Sequence, residues 1–255
     1  MLTDSHTHLN AEQFNDDQAE VIQRALDAGV TRIVNVGFNR ETIPSSIELA
    51  EKYDFIYTTV GWHPVDAIDM MPGDLEWIES LCKHEKVVAI GEIGLDYYWD
   101  KSPKDVQQRV FREQIRLARK LGMPIVIHNR DAHQDILHIL KEEKAAEVGG
   151  IMHCFSGSWE TAKQCLDMNF HISFGGPVTF KNAVQPKEVL AQVPLDRLLI
   201  ETDAPYLTPH PFRGKRNETG YVRLVAETAA EIRGMTLEEI AEITTQNAIR
   251  LLGLK

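Results

Sequence analysis

Eight short apolar runs recur along the chain, separated by longer segments of helical period. They lie near Leu2 and at residues 32–36, 55–60, 87–90, 124–127, 150–152, 171–174 and 198–200. From Leu2 to Leu198 the spacing averages about 28 residues, which accommodates one strand, one helix and two loops. Continuous rather than alternating apolar strands belong in a parallel sheet covered on both faces. Eight such units predict an α/β fold, a (β/α)8 TIM barrel with residues 1–255 as a single domain. The alternative is an open doubly wound sheet, but no GxGxxG loop follows the first run.

The segments between the runs carry helix signals. Ser102 and Pro103 suit an N-cap and first helical position. Val106, Val110, Ile115, Leu117, Ala118 and Leu121 then form an apolar stripe that Gly122 and Pro124 stop. Thr236 and Glu239 make a capping box ahead of Ile240, Ala241 and Ile243.

Composition narrows the class further. With 43% hydrophobic and 25% charged residues, the chain is neither collagenous, disordered nor a disulfide-dense miniprotein. No apolar run approaches the ~20 residues that span a bilayer, and the first residues lack a signal-peptide pattern. Cys82, Cys154 and Cys165 have no CxxC spacing and read as reduced thiols, so a cytoplasmic location is expected. The net charge is −11, from 27 basic and 38 acidic side chains. Such a surface cannot hold nucleic acid everywhere. A DNA partner would be bound locally and transiently. No membrane partner and no obligate protein partner is expected.

What ends the apolar runs is more informative. The first ends in His6-Thr7-His8, and period two puts both imidazoles on one strand face. A lone HxH is weak, because surface histidines are common. Yet the run at 87–90 leads to Glu92, that at 124–127 to His128, that at 150–152 to His153, and that at 198–200 to Asp203. Any one of these is an ordinary polar residue where a buried strand meets water. Four His and two carboxylates at five strand ends point instead to a metal centre at the C-terminal mouth. The ligand number suggests two divalent ions. His6, His8 and Asp203 suit one, His128 and His153 the other, and Glu92 bridges them. Such a pair supports in-line displacement, with Asp203 placed to accept a proton from the attacking water. Asp203 and Glu92 are therefore the catalytic candidates. Asp4 shares parity with His6 and His8, and Glu201 with Asp203; both are candidates to orient a ligand.

These motifs resemble one family. Asp4-Ser5-His6-Thr7-His8-Leu9, residues 90–97 with Glu92, residues 124–130 with His128, His153-Cys154-Phe155-Ser156-Gly157, and Glu201-Thr202-Asp203-Ala204-Pro205-Tyr206-Leu207 are similar to the TatD family of metal-dependent deoxyribonucleases. The match extends over essentially the whole chain and shows no departure at the ligand positions. The resemblance implies a TIM barrel that hydrolyses DNA with divalent metal, typically from the 3′ end. Coordination chemistry favours Zn²⁺, Mn²⁺ or Ni²⁺ for the histidines, and the resemblance adds Mg²⁺.

Several groups suit a phosphate. His63, in Trp62-His63-Pro64, follows the third run. Arg130 keeps the parity of His128 if its strand continues, and its planar fork matches phosphate. Arg213, Lys215 and Arg216 form a basic loop after the eighth run, where barrels often bind phosphate. Trp99, Tyr97 and Phe180 are aromatic candidates for base stacking. The competing function is an amidohydrolase or esterase acting on a small molecule or an aminoacyl-tRNA. That class usually bridges its metals with a carboxylated Lys, and no Lys ends a candidate strand here.

Overall fold

The computed structural model describes all 255 residues. Eight parallel strands pair in chain order: β1 Leu2–Thr7, β2 Val30–Gly37, β3 Ile56–Val60, β4 Val87–Asp96, β5 Ile125–Arg130, β6 Gly150–Met152, β7 Phe170–Phe174 and β8 Leu198–Ile200. The helices are α1 Gln18–Asp27, α2 Thr42–Lys52, α3 Asp74–Leu81, α4 Lys104–Leu121, α5 His133–Glu142, α6 Trp159–Asp167, α7 Val184–Gln192, α8 Val222–Arg233 and α9 Leu237–Leu252. This is the (β/α)8 TIM barrel that the alternation predicts. No helix is long and apolar enough to cross a membrane. All three cysteines are free, and burial pushes the Cys82 and Cys165 thiols up to about 12.

Helix α4 shows how the local sequence works. Val110, Phe111, Ile115, Leu117 and Ala118 are buried in the main core with Ile33, Ile90 and Ile125 from the strands. Gly122 ends the helix at φ +66°, a left-handed conformation that glycine adopts freely. The expected N-cap needs correction: Pro103 holds that position. The Ser102 hydroxyl instead donates to Val65 O and accepts from Ile68 N, tying two loops together. Helix α9 does open with the Thr236–Glu239 capping box.

The two ends of the barrel are closed differently. At the foot, Tyr57, Val88, Val126, Ile151 and Leu199 are each second in their strand, and they meet Ala248, Leu252 and Leu254. Strands β1 and β8 form no ladder. Towards the mouth their seam is stitched by other means. Ser5 Oγ donates to Ile200 O (2.9 Å), and Thr202 donates its N–H and hydroxyl to Asp4 (2.9 and 2.6 Å). Asp203 N donates to His6 O (2.9 Å) and His8 N to Ala204 O (2.8 Å). This seam sets His6 and His8 beside Asp203.

Candidate metal centre

The strand ends open into a cleft of about 760 Å³ whose wall includes His8, His63, Glu92, Asp96, His128, Arg130, His153 and Asp203. His6 is completely buried. Strand β4 runs past Glu92 to Asp96 and packs closely on β5. A β-carbon on Gly94 would clash with His128 O, and one on Gly91 would stand 2.6 Å from Val126 Cβ. Glycine at these two positions lets Glu92 and Asp96 approach His128.

Glu92 divides its two oxygens between two groups of imidazoles. Oε2 lies 3.4 Å from His6 Nε2 and 3.8 Å from His8 Nε2. Oε1 lies 2.7 Å from His128 Nδ1, 3.5 Å from His153 Nε2 and 3.6 Å from His63 Nε2. On the Oε2 side, ligand atoms of His6, His8 and Asp203 lie within 4.8 Å of one another. Asp203 stands beyond β8 with φ +58°, so strand parity does not aim it; the seam bonds do. Its Oδ1 is 3.2 Å from His8 Nε2 and 3.7 Å from His6 Nε2.

His153 sits differently from the expected pairing with His128. Its ring stacks on His6 with centroids 3.7 Å apart, against 6.2 Å to His128. Its Nδ1 lies 2.7 Å from Glu201 Oε1, which also accepts from Cys154 N. His128 is flanked likewise, with Nδ1 on Glu92 and Nε2 on Asp96 Oδ2 (2.8 Å). Asp96 was absent from the sequence-based candidates. It lies four residues beyond Glu92 and shares its strand parity, and the continuing alternation of Ile93 and Leu95 was the sequence signal that could have found it.

Other candidates are placed less as expected. Asp4 touches no ligand side chain; its carboxylate accepts from Thr202 and from the His6 N–H. The basic loop is off the cleft wall. Arg216, expected at a phosphate, is instead paired with Asp17 and Glu218 and lies over Phe14. Arg213 lies over Phe180, and the Lys215 ammonium is 5.9 Å from the Phe212 ring. Arg130 does line the cleft, with its guanidinium 3.9 Å from the Tyr98 ring centroid. Of the aromatics, Trp99 lines the cleft and is about half exposed, whereas Tyr97 is off that wall and its hydroxyl donates to Asp135 of α5.

The centre's charges show what it fits. Burial by itself would raise Glu92, but His153, His6, His63 and His128 outweigh it and hold the carboxyl well below its ordinary range. Burial likewise opposes ionisation of Asp203, and His8, His153 and His6 reverse the effect. Burial and the neighbouring His153 lower His6. Burial would lower His153 too, but Glu201 and Glu92 hold it up at about 10. The carboxylates thus recruit protons for positive charge that a cation can supply. Meanwhile the buried His6 Nδ1 and Nε2, His8 Nδ1 and Glu201 Oε2 make no hydrogen bond. Buried polar atoms are rarely left so. Imidazole and carboxylate donors with idle lone pairs fit divalent transition ions.

A (β/α)8 barrel with such a cluster at its mouth has the architecture of the metal-dependent hydrolases. Within that class the chain belongs to the TatD related DNase family, whose model matches residues 3–253. It is 65% identical to the uncharacterized metal-dependent hydrolase YabD of Bacillus subtilis, over 100% of both chains. It is 34% identical to the 3′-5′ ssDNA/RNA exonuclease TatD of Klebsiella pneumoniae, covering 99% of this chain and 98% of that one. The solved structure of YjjV, a TatD homologue from Escherichia coli K12, superposes with a TM-score of 0.94 at 31% identity, covering 100% of this chain and 98% of that one.

Proposed function

We propose that the chain is a divalent-metal-dependent phosphodiesterase that trims single-stranded DNA from its 3′ end. The observation that carries this reading is Glu92, one buried carboxylate with imidazoles facing each oxygen. The Klebsiella relative's exonuclease name supports the substrate class. In this reading His6, His8 and Asp203 would hold one ion, and His128 and His153 would hold the other, since both face Glu92 Oε1 even though the His153 ring stacks on His6; Glu92 would serve both ions. When bound, the ions supply Lewis-acid charge stabilisation and acidify water at neutral pH.

The protein groups do the rest. Asp203 stays ionised beside His8 and takes the proton of the attacking water. His63 Nδ1 accepts from Val65 N (3.2 Å), so the neutral ring carries its proton on Nε2, which faces Glu92 and the cleft. Burial and the nearby His128 lower its pKa and keep it neutral. His63 is therefore a donor to a phosphoryl oxygen. Arg130, the one Lys or Arg on the cleft wall, clamps a neighbouring phosphate, and Trp99 and Tyr206 stack bases.

The test is a 3′-labelled single-stranded oligonucleotide run beside ester and amide panels, with and without Mn²⁺ or Mg²⁺. Metal-dependent release of the 3′ label before internal cuts is expected. Hydrolysis of esters or amides with the oligonucleotide left intact would replace this reading with the small-molecule hydrolase.

A further inference from the structure

Asp96 holds two things at once. It is buried at the end of β4, and its backbone is pinned by Gln107 of α4: Asp96 N donates to Gln107 Oε1 (2.8 Å), and Gln107 Nε2 donates to Asp96 O (2.9 Å). Its Oδ1 accepts from the backbone of Tyr98 (3.0 Å) and Trp99 (3.1 Å), and its Oδ2 lies 2.8 Å from His128 Nε2. We propose that Asp96 is a positioning residue that fixes the tautomer of His128, keeping the proton on Nε2 so that the Nδ1 lone pair faces Glu92.

The argument is one of donor counting. A neutral imidazole has one N–H, and an ionised carboxylate only accepts. Both nitrogens of His128 face carboxylates, and against burial Asp96 and Glu92 raise its pKa, so the metal-free ring can hold both protons; the choice arises when the ring is neutral or when a cation claims one nitrogen. Glu92 is shared among His6, His8, His63, His128 and His153, whereas His128 is the only imidazole on Asp96. Once a cation engages Glu92, the bond to Asp96 remains the one available to the N–H, and Nδ1 is left as the ligand atom. Glu201 faces His153 with the nitrogens exchanged, Nδ1 2.7 Å from Glu201 Oε1 and Nε2 3.5 Å from Glu92 Oε1, though that Nδ1 makes no aligned hydrogen bond. A carboxylate behind a ligating histidine sets ring orientation and basicity in this way. Asp96 also joins the centre to the rim, because the backbone it holds carries Tyr98 beneath Arg130, two residues along β5 from His128.

The orientation of a replacement amide is predictable. In Asp96→Asn the two backbone N–H groups keep the side-chain carbonyl at the Oδ1 position, so the NH₂ faces His128 Nε2. That donor requires a lone pair on Nε2 and drives the proton to Nδ1, the nitrogen the metal needs. Asp96→Ala leaves the ring free to choose. The isosteric variant is therefore the more damaging one, the reverse of a packing role.

Two readouts test this on the full chain. Two-bond ¹H–¹⁵N spectra of metal-free Asp96→Asn, taken at a pH where His128 is neutral, should place the His128 proton on Nδ1. Zn²⁺ titration against a competing chelator should then show one ion bound as in wild type and the other weakened about 100-fold in Asp96→Asn but about 10-fold in Asp96→Ala. An Asn variant with the proton on Nε2, or one milder than Ala, overturns the proposal. The metal readout rests on the proposed ligand roles, and the spectrum does not. Wild type that binds no Zn²⁺ sinks those roles and leaves the spectrum to decide Asp96. If either variant fails to fold, wild-type Zn²⁺ protein decides: His128 protonated at Nε2 supports the proposal, and at Nδ1 overturns it.

Discussion

The mouth and the foot of the barrel use the same eight strands but differ in what is left unpaired. At the foot, Val88, Val126, Ile151 and Leu199 pack against Leu252 and Leu254, and the Tyr57 hydroxyl is satisfied by the Lys255 backbone. At the mouth, buried nitrogens of His6 and His8 have no partner. An unsatisfied buried polar atom costs about 1–3 kcal/mol, while burial of a Leu contributes about 2 kcal/mol. Stability therefore concentrates at one end and reactivity at the other, where stability is forgone. His171 is the exception at the foot: it is buried at the start of β7 with Nδ1 unpaired.

The sharpest way to break this contrast is Glu92→Ala. Turnover should fall at least about 10³-fold, roughly 4 kcal/mol in barrier, while circular dichroism still reports the folded barrel. EDTA should likewise stop turnover without unfolding, because the apolar core does not depend on metal. Activity within tenfold of wild type would remove Glu92 from the chemistry.

Leu199→Ala should do the opposite. It is fully buried at the foot, and a cavity there should lower the unfolding free energy by about 3 kcal/mol with kcat unchanged. A kcat loss of more than a few fold would mean that the two ends are coupled.

His171 sharpens the contrast through pH. Burial, then Arg197 and Arg250, push its pKa down to about 4. The unfolded chain binds the proton near pH 6.5, so between about 6.5 and 4 the unfolded state holds more protons. Stability should be full above that window and fall by about 2 kcal/mol from pH 7 to pH 5. Denaturant titrations of His171→Gln should lose that part of the slope; an unchanged slope would place the titration elsewhere.

The smallest effects separate two arginines. Arg130→Ala should raise KM for an oligonucleotide about tenfold with kcat nearly kept, since the role proposed for it is to bind rather than to react. Arg216→Ala should leave KM and its salt dependence alone and cost about 1 kcal/mol of stability, through its lost ion pairs. A raised KM for the Arg216 variant would restore the basic loop as a substrate contact.

These contrasts also show what the sequence made legible. Apolar runs marked all eight strands because each is buried on both faces, and the polar residue ending a run marked Glu92 and His128 because chain direction alone carries it to the mouth. Partners from distant segments left no such trace. Nothing near Arg216 foretold Asp17, which α1's approach brings to it. The aim of Asp203 depends on seam bonds to β1, and period-two reasoning stops where β8 does. Asp96 escaped because β4 continues beyond its continuous apolar run.

The unladdered seam has a temporal meaning. His6 and His8 are supplied by the first strand, and Asp203 lies just past the last, so their meeting requires the sheet to come full circle. A ribosome delivers these parts in order, at about 5–20 residues per second. The early histidines wait many seconds for their carboxylate. The cluster that joins the first strand to the last therefore cannot assemble until translation is nearly over.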